Sequence, residues 1–400
     1  MANTVLALNA GSSSIKFALA EIRESRDASA PRRIVAGAID GIGIAPRLTV
    51  RDGAGNPLAE RRWPTARQPA HDALLDTLLG WLEAHLGENV LVAVGHRVVH
   101  GGHDFISPVR VTLKILETLT ALTPLAPLHQ PHNLAPIRTM LTLRPNLPQV
   151  ACFDTAFHHT QPVVATRFAL PRDYENEGVR RYGFHGLSYE YIAGQLAKLS
   201  PALSRGRVIV AHLGNGASLC AMRDGQSIDT TMGFTTLDGL MMGTRCGTLD
   251  AGVPLYMGRW KRLSVEQIEH VLYNESGLLG VSGISSDMRD LLASPDPRAK
   301  EAIELFVYRI GREAAALAGS LGGLDGFVFT AGIGEHAAEI RAAICERLSW
   351  LGVVLDAAAN QRNAQCISAP ASRVTVLVIP TDEEAMIQQH ALANIASDPH

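Results

Sequence analysis

Four hundred residues, 46% of them hydrophobic, allow two or three domains with sizeable cores, which excludes a disordered or fibrous chain. Lys and Arg number 36 against 39 Asp and Glu, a formal charge of −3, so no basic surplus points to nucleic acid or an anionic membrane. The 36 glycines are somewhat more than the usual ~7%, without a collagen period, so many backbone positions require tight turns or close approach.

In chain order, residues 5–8 and 15–20 are predicted strands joined by the small-residue turn 11–14. Extended segments follow at 33–39 and 47–51. A helix is expected over 69–86, with Leu74, Leu75, Leu78, Leu82 and Leu86 on one face, then a buried strand over 90–94. Helices near 113–122 and 133–143 flank a loop marked by Pro124, Pro127 and Pro131, and a strand follows at 149–153. The pattern then restarts: strand 207–212, small-residue turn 213–218 and strand 219–222 echo the opening and read as an internal duplication at domain scale. Residues 314–334 have a membrane-spanning length, but Gly319, Gly322, Gly323 and Gly326 interrupt them, which suits a helix, a turn and a buried strand. A glycine turn then leads into a helix over 337–348, a strand over 374–379 and a closing helix. Thr381-Asp-Glu-Glu384 reads as its capping box, with Thr381 as N-cap and Glu384 at N3.

Strands interleaved with helices predict an α/β protein in two similar halves with a ligand cleft between them. The expected domains are 1–150 and 151–381, with the closing helix, about 382–396, packing back onto the first. Cys152, Cys220, Cys246, Cys345 and Cys366 are odd in number and lack CxxC spacing, and the N-terminus lacks an export signal. Both point to a reducing, cytoplasmic setting.

Three glycine- or serine-rich turns directly follow apolar strands, at 9–14, 214–218 and 332–335. Phosphate binds where backbone N–H groups converge with no Cβ in the way, so together they read as nucleotide cradles, although none is a Walker A loop or GxGxxG. His129 and His132 have HxxH spacing, but with Pro131 between them and no third ligand nearby they read as a loop rather than a metal site.

Seven motifs, in order, carry a resemblance: Leu8-Asn-Ala-Gly-Ser-Ser-Ser-Ile-Lys-Phe17, Gly95-His-Arg-Val-Val-His-Gly-Gly102, Phe153-Asp-Thr-Ala-Phe157, Arg181-Tyr-Gly-Phe-His-Gly-Leu187, His212-Leu-Gly-Asn-Gly216, Met242-Gly-Thr-Arg-Cys-Gly247 and Ala331-Gly-Ile-Gly-Glu335. From residue 5 to about 390 the chain resembles the acetate kinase family, within the acetate and sugar kinase, Hsp70 and actin superfamily. The resemblance implies a duplicated ribonuclease H-like (actin-like ATPase) α/β fold with its active site in the interdomain cleft. It implies reversible in-line transfer of the ATP γ-phosphoryl group to acetate, giving acetyl phosphate and ADP, with Mg²⁺ (or Mn²⁺), in a homodimer.

Acetate is already an anion at pH 7, so unlike a sugar hydroxyl it needs no general base, and cations should dominate such a site. The matching positions assign Arg97 to acetate and Arg245 to the transition state, where a guanidinium fork suits phosphoryl oxygens. His185 corresponds to a second transition-state stabiliser. Asp154 matches the catalytic aspartate and is read as positioning Mg²⁺ or an arginine, because the nucleophile arrives deprotonated. Asn9 and Glu383 are the implied metal ligands, Glu384 being assigned to its own helix cap. Implied nucleotide contacts are Lys16, with Ser12 and Ser14 in support; His212, Leu213, Gly214, Asn215 and Gly216; Asp287, Met288 and Arg289; and Gly332, Ile333, Gly334, Glu335 and His336. The implied acyl pocket is Val99, Leu128, Phe184 and Thr236, the last a departure, since many members carry proline there. One methylene in an apolar pocket is worth only ~1–3 kcal/mol, so propionate is expected to be accepted to some degree. Two rivals are a kinase preferring propionate or butyrate and, from another class, an ATP-driven conformational switch. The switch leaves Arg97, Asp154, His185 and Arg245 without a task.

Overall fold

An apolar run buried on both faces is what a strand with layers above and below requires, and β1 (Asn3–Ala10) is buried from Thr4 onward. The structure is a computed structural model that describes residues 2–11, 14–22, 31–64, 69 and 71–396. It divides into one unit made of Met1–Ala156 with Asp382–His400 and a second made of Phe157–Thr381.

In the first unit β1 pairs antiparallel with β2 (Ser14–Glu21), and β3 (Arg32–Asp40), β4 (Arg47–Asp52) and β5 (Pro57–Arg62) continue the antiparallel side. On the other side β6 (Val90–Val98) runs parallel to β1, and β8 (Gln149–Phe153) runs parallel to β6, with the two-residue β7 (Val109–Arg110) at the edge. The sheet order is β5-β4-β3-β2-β1-β6-β8-β7. Helix α1 (His71–His85) packs Leu74, Leu75, Leu78 and Leu82 against Leu6, Leu8, Phe17 and Val94. Helices α2 (Leu113–Ala121) and α3 (Gln130–Leu143) set Leu119, Leu134 and Ile137 against Val98 and Phe153.

The closing helix (Glu383–Ala396) lies on β1, β6 and β8. Val94 turns toward the α1 cluster, so its neighbour Gly95 faces the closing helix. Gly95 is what lets the helix sit down: a Cβ there would lie 2.4 Å from Ile387 Cγ2 and 2.9 Å from the Ile387 carbonyl oxygen.

The second unit repeats the plan. Strands β9 (Arg207–Leu213), β10 (Ala217–Arg223), β11 (Gln226–Thr230), β12 (Gly326–Thr330) and β13 (Thr375–Val378) form the order β11-β10-β9-β12-β13. β10 is antiparallel to both neighbours, while β9, β12 and β13 are parallel. Order and sense match β3-β2-β1-β6-β8, so the predicted duplication is visible in the topology of each sheet. Helix α4 (Gly186–Leu199) packs Tyr189, Ile192 and Leu196 on Val208, Val210 and Val328. After α5 (Gly252–Trp260) and α6 (Met288–Ala293) comes the long α7 (Pro297–Leu321). Asp296 starts α7 by accepting the Arg298 N–H, and Gly322, at φ 70°, ends it. Helices α8 (Ala331–His336), α9 (Ala338–Arg347) and α10 (Ala357–Gln361) follow.

Several expectations require correction. The first unit runs to Ala156 rather than 150, because β8 is a strand of its sheet. Pro131 lies in the first turn of α3, where its missing N–H costs nothing, so the proline-marked loop ends earlier. The 332–335 turn is the short helix α8. The closing helix is capped by Asp382, which accepts the Ala385 N–H at 2.9 Å, and not by Thr381, so no Thr381–Glu384 capping box forms. By contrast, residues 314–334 are, as expected, the end of a helix (α7), a turn and a buried strand (β12), followed by the start of α8, and among the described residues no helix is long and apolar enough to cross a membrane.

Replacing Gly95 by alanine should cost about 1–3 kcal/mol, since an overpacked core cannot relax past a backbone carbonyl. Chemical denaturation would show this as a lower midpoint with an unchanged slope, and an unchanged midpoint would refute the close seating of the helix.

Candidate functional site

Three parallel strands of the first unit end side by side, each with a polar residue within one position of its end: Asn9 in β1, Arg97 in β6 and Asp154 directly after β8. Asp154 is 1% exposed and grips Arg97 with both oxygens: Arg97 Nε donates to Oδ1 at 3.0 Å and to Oδ2 at 3.1 Å, and Nη2 also donates to Oδ2. Arg97 Nη1 donates to Asn9 Oδ1 at 3.2 Å, and Asn9 Nδ2 donates to Glu383 Oε2 at 3.1 Å. Burial works against the charge on Arg97, but Asp154, Glu383 and Glu384 outweigh it, and its pKa lies above the ordinary value. Burial likewise raises the pKa of Glu384, reinforced by Glu383 and opposed by Lys16. Glu384 therefore belongs to this charged cluster and not to a helix cap.

Glu383 and Asn9 offer hard oxygen donors, and the Asn9 carbonyl keeps a second lone pair beyond the one Arg97 uses. That set fits Mg²⁺, which takes few protein oxygens and retains waters. Among the described residues no group of three or more His, Cys, Asp and Glu stands ready for a transition metal, His129 and His132 included. Lys16 is exposed on β2, Ser14 begins that strand, and Ser12 lies outside the described residues. Val99 is buried and donates its N–H to Asn133 Oδ1, while Leu128 is 38% exposed.

In the second unit His185 occupies the turn before α4 at φ 59°, a left-handed conformation strained for a residue with a Cβ. Its ring stacks on His212 with centroids 4.2 Å apart. A Cβ built on Gly216 would lie 2.9 Å from Arg245 Nη2 and 3.2 Å from His185 Nε2, so both cationic or donor groups converge where only a hydrogen fits. Arg245 is held by Nη1 donating to the Thr236 carbonyl at 2.7 Å. The loop is set by Gly243, whose N–H donates to the Asn215 carbonyl and whose Cβ would collide with Asn215 Oδ1 at 2.0 Å. Phe184 is buried, and its carbonyl accepts from His158 Nε2 at 2.9 Å.

A cavity of about 620 Å³ opens in this unit, lined by Gly214, Asn215, Asp287, Met288, Arg289, Gly332, Ile333 and His336. Sequence reasoning did not find its further lining residues Ser286, Leu292, Ala337 and Glu339. Leu213 is buried in β9; Gly334 is buried in α8, and Glu335 Oε1 accepts the Thr381 N–H at 3.2 Å. Ala331, at φ 63°, turns the chain sharply from β12 into α8.

Sequence reasoning also missed Arg341, fully buried in α9. Its Nη1 donates to the Gly334 and Glu335 carbonyls at 3.0 and 2.8 Å, Nε to Asn360 Oδ1 at 2.8 Å, and Nη2 to the Asn360 carbonyl and Asn363 Oδ1 at 2.8 and 2.6 Å. All five N–H groups are used, and they fasten the end of α8, hence the cavity wall, to α10.

Arg341→Lys should destabilise the chain by about 2–4 kcal/mol and weaken nucleotide binding, because an ammonium cannot span these acceptors and leaves buried carbonyls unmet. Denaturation and nucleotide titration would measure the two effects. Buried His96, His100 and His158 each have a pKa pushed down to about 4, chiefly by burial. The unfolded chain therefore binds more protons between the ordinary imidazole pKa of about 6.5 and about 4, so their stabilisation is complete above that window and lost as pH falls through it, by up to about 3 kcal/mol each. His158→Gln should flatten the fall in unfolding free energy across that range.

The acetokinase family model matches residues 4–389. The acetate kinase of Rhodopseudomonas palustris (strain ATCC BAA-98 / CGA009) is 56% identical over 393 residues, covering 98% of each chain. That of Nitrobacter hamburgensis is 51% identical over 98% of this chain and 96% of its own. Among solved structures, Porphyromonas gingivalis acetate kinase superposes with a TM-score of 0.86 at 36% identity, covering 98% of this chain and 100% of the other. A propionate kinase from Francisella tularensis gives 0.88 at 38% identity, covering 98% and 99%. A family match over nearly the whole length, relatives above 50% identity and full-length structural likeness agree: the chain belongs to the acetokinase family.

Proposed function

We propose that the chain phosphorylates acetate with ATP, reversibly, giving acetyl phosphate and ADP. The observation that carries this reading is the convergence of Arg245 Nη2 and His185 Nε2 over Gly216, beside the cavity wall at Gly214 and Asn215. Two such donors suit the equatorial oxygens of a phosphoryl group in transfer, where charge spreads while the entering and leaving oxygens stand in line.

A carboxylate oxygen of acetate supplies the electron pair that forms the new P–O bond, and the pair of the breaking bond leaves on the β-phosphate oxygen of ADP. No proton moves in that step. Asp154 accordingly serves better as a grip on Arg97 than as a base: with Nε bound, the outer edge of the guanidinium still carries N–H groups on Nη1 and Nη2 for the incoming carboxylate. Mg²⁺, when bound, would neutralise phosphate charge and be held by Glu383 and Asn9. The cavity in the second unit takes the adenosine, with Arg341 holding its wall.

The finer assignments rest on the family likeness. A homodimer is supported by α5, which buries none of its side chains in this chain and exposes Leu255, Tyr256 and Trp260 at 60%, 51% and 75%. A cytoplasmic setting is supported by the absence of a disulfide among the five cysteines, all of them described. A propionate-preferring kinase is the second reading, because a structural relative at 38% identity bears that name and Thr236 stands in the implied acyl pocket.

Comparing kcat/KM for acetate, propionate and butyrate with ATP and Mg²⁺ should rank acetate first, with propionate within about 10- to 200-fold. No turnover of any acid by folded protein would sink the proposal, and propionate ranking first would favour the second reading. Arg245→Ala should lose about 10³-fold or more in kcat with ATP binding nearly unchanged, whereas Arg97→Ala should raise the acetate KM.

A further inference from the structure

We propose that Ser218 and Tyr189 are positioning residues that fix the ring proton of His185 on Nε2, the nitrogen that faces Gly216 and Arg245. The catalytic consequence rests on the reading of His185 as a donor to the phosphoryl group. The tautomer itself follows from an inventory of protons.

Ser218 and Tyr189 are both 0% exposed, on β10 and α4 of the same unit. The Tyr189 hydroxyl lies 2.5 Å from Ser218 Oγ, and Ser218 Oγ lies 2.8 Å from His185 Nδ1. Besides its packing on the strands, the Tyr189 ring meets His158 and His212 edge-on at centroid distances of 5.7 and 6.4 Å and Phe157 at 6.5 Å. Among the described residues Ser218 Oγ is the hydrogen-bond partner of this phenol. A buried O–H without an acceptor is costly, and burial pushes the Tyr189 pKa well above 10, so the phenol keeps its proton and donates it to Ser218. A hydroxyl has one hydrogen. Ser218, accepting from Tyr189, must place that hydrogen on an acceptor, and among the described residues its other hydrogen-bond partner is His185 Nδ1, so Nδ1 accepts and the neutral ring carries its N–H on Nε2.

The stacking of His185 on His212 disfavours charging both rings at once, because two parallel imidazolium rings 4.2 Å apart would repel. His212 is fixed on its own side by Nδ1, 2.9 Å from Ser188 Oγ, and Ser188 in turn donates to Thr381 Oγ1. Without the Tyr189–Ser218 relay the His185 ring could hold its proton on Nδ1 and present Nε2 as a lone pair. That face would repel a phosphoryl oxygen instead of binding it.

The full-length protein labelled with ¹⁵N-histidine reports the tautomer directly, at a pH of about 8.5, well above the ordinary imidazole pKa. The His185 signals among the fifteen histidines are assigned by their loss in His185→Gln. The proposal expects Nε2–H in the unmodified protein. It also expects a mixture of tautomers in folded Ser218→Ala, with kcat lower by about 10- to 100-fold and the KM values for ATP and acetate within about threefold. Tyr189→Phe should move the spectrum the same way to a smaller extent. A His185 ring protonated on Nδ1 in the unmodified protein overturns the proposal, a result that needs only the assignment variant His185→Gln to fold and neither the Ser218 nor the Tyr189 variant. So does a Ser218→Ala spectrum that keeps pure Nε2–H. If His185→Gln retains full kcat, the catalytic reading of His185 fails while the spectra still decide the tautomer.

Discussion

Parallel pairing around one central strand is the constraint from which the functional geometry of each unit descends. Strands that run the same way deliver their carboxyl ends to the same edge, where chain leaving the sheet is free to carry polar groups. In the first unit β1, β6 and β8 bring Asn9, Arg97 and Asp154 together there. In the second, β9, β12 and β13 do the same for residues 213–216, 330–332 and 379–381. Register matters as much as direction. Arg97 shares the face of Gly95 two residues before it, so the bare backbone that seats the closing helix also brings Glu383 to Asn9. A slip of one residue in β6 would turn Arg97 toward the leucines of α1.

The two units handle charge by opposite means. The first pairs it: a nearly buried carboxylate holds a guanidinium, and the acids of the closing helix stand beside them. The second presents donors on rigid backbone, with strained turns at His185 and Ala331 and with Gly216 leaving room for Arg245 and His185 to converge. Such strain persists only where packing over-determines it, and here the buried Ser218–Tyr189 pair supplies it beside His185 and the buried Arg341 supplies it behind α8. A net charge of −3 reveals none of this, because the positive groups that matter are few.

The fold was legible where the sequence signal is local. The hairpins of β1–β2 and β9–β10 were evident because apolar runs flank short runs of small residues, and the duplication because that arrangement recurs. The capping box misled because Thr381 and Glu384 have the right spacing, yet Asp382, one residue on, takes the cap and leaves Thr381 to bond Glu335 and Ser188. Arg341 gave no signal: its partners Asn360 and Asn363 lie about twenty residues away, and nothing local distinguishes it from a surface arginine. Ser218 looked like one more small turn residue, and its task depends on a tyrosine twenty-nine residues earlier. The motif positions were legible through family resemblance, and the residues that orient them were not.

The second unit is one unbroken stretch of chain inserted between two parts of the first. The ribosome therefore makes all of Phe157–Thr381 before it reaches the helix at Glu383–Ala396. Until then the seat around Gly95 is a bare apolar surface, and Asn9 and Arg97 lack Glu383. A ribosome that stalls late would thus release a chain with a finished second unit and an unfinished first, holding an exposed sheet face open to chaperones or to other nascent chains.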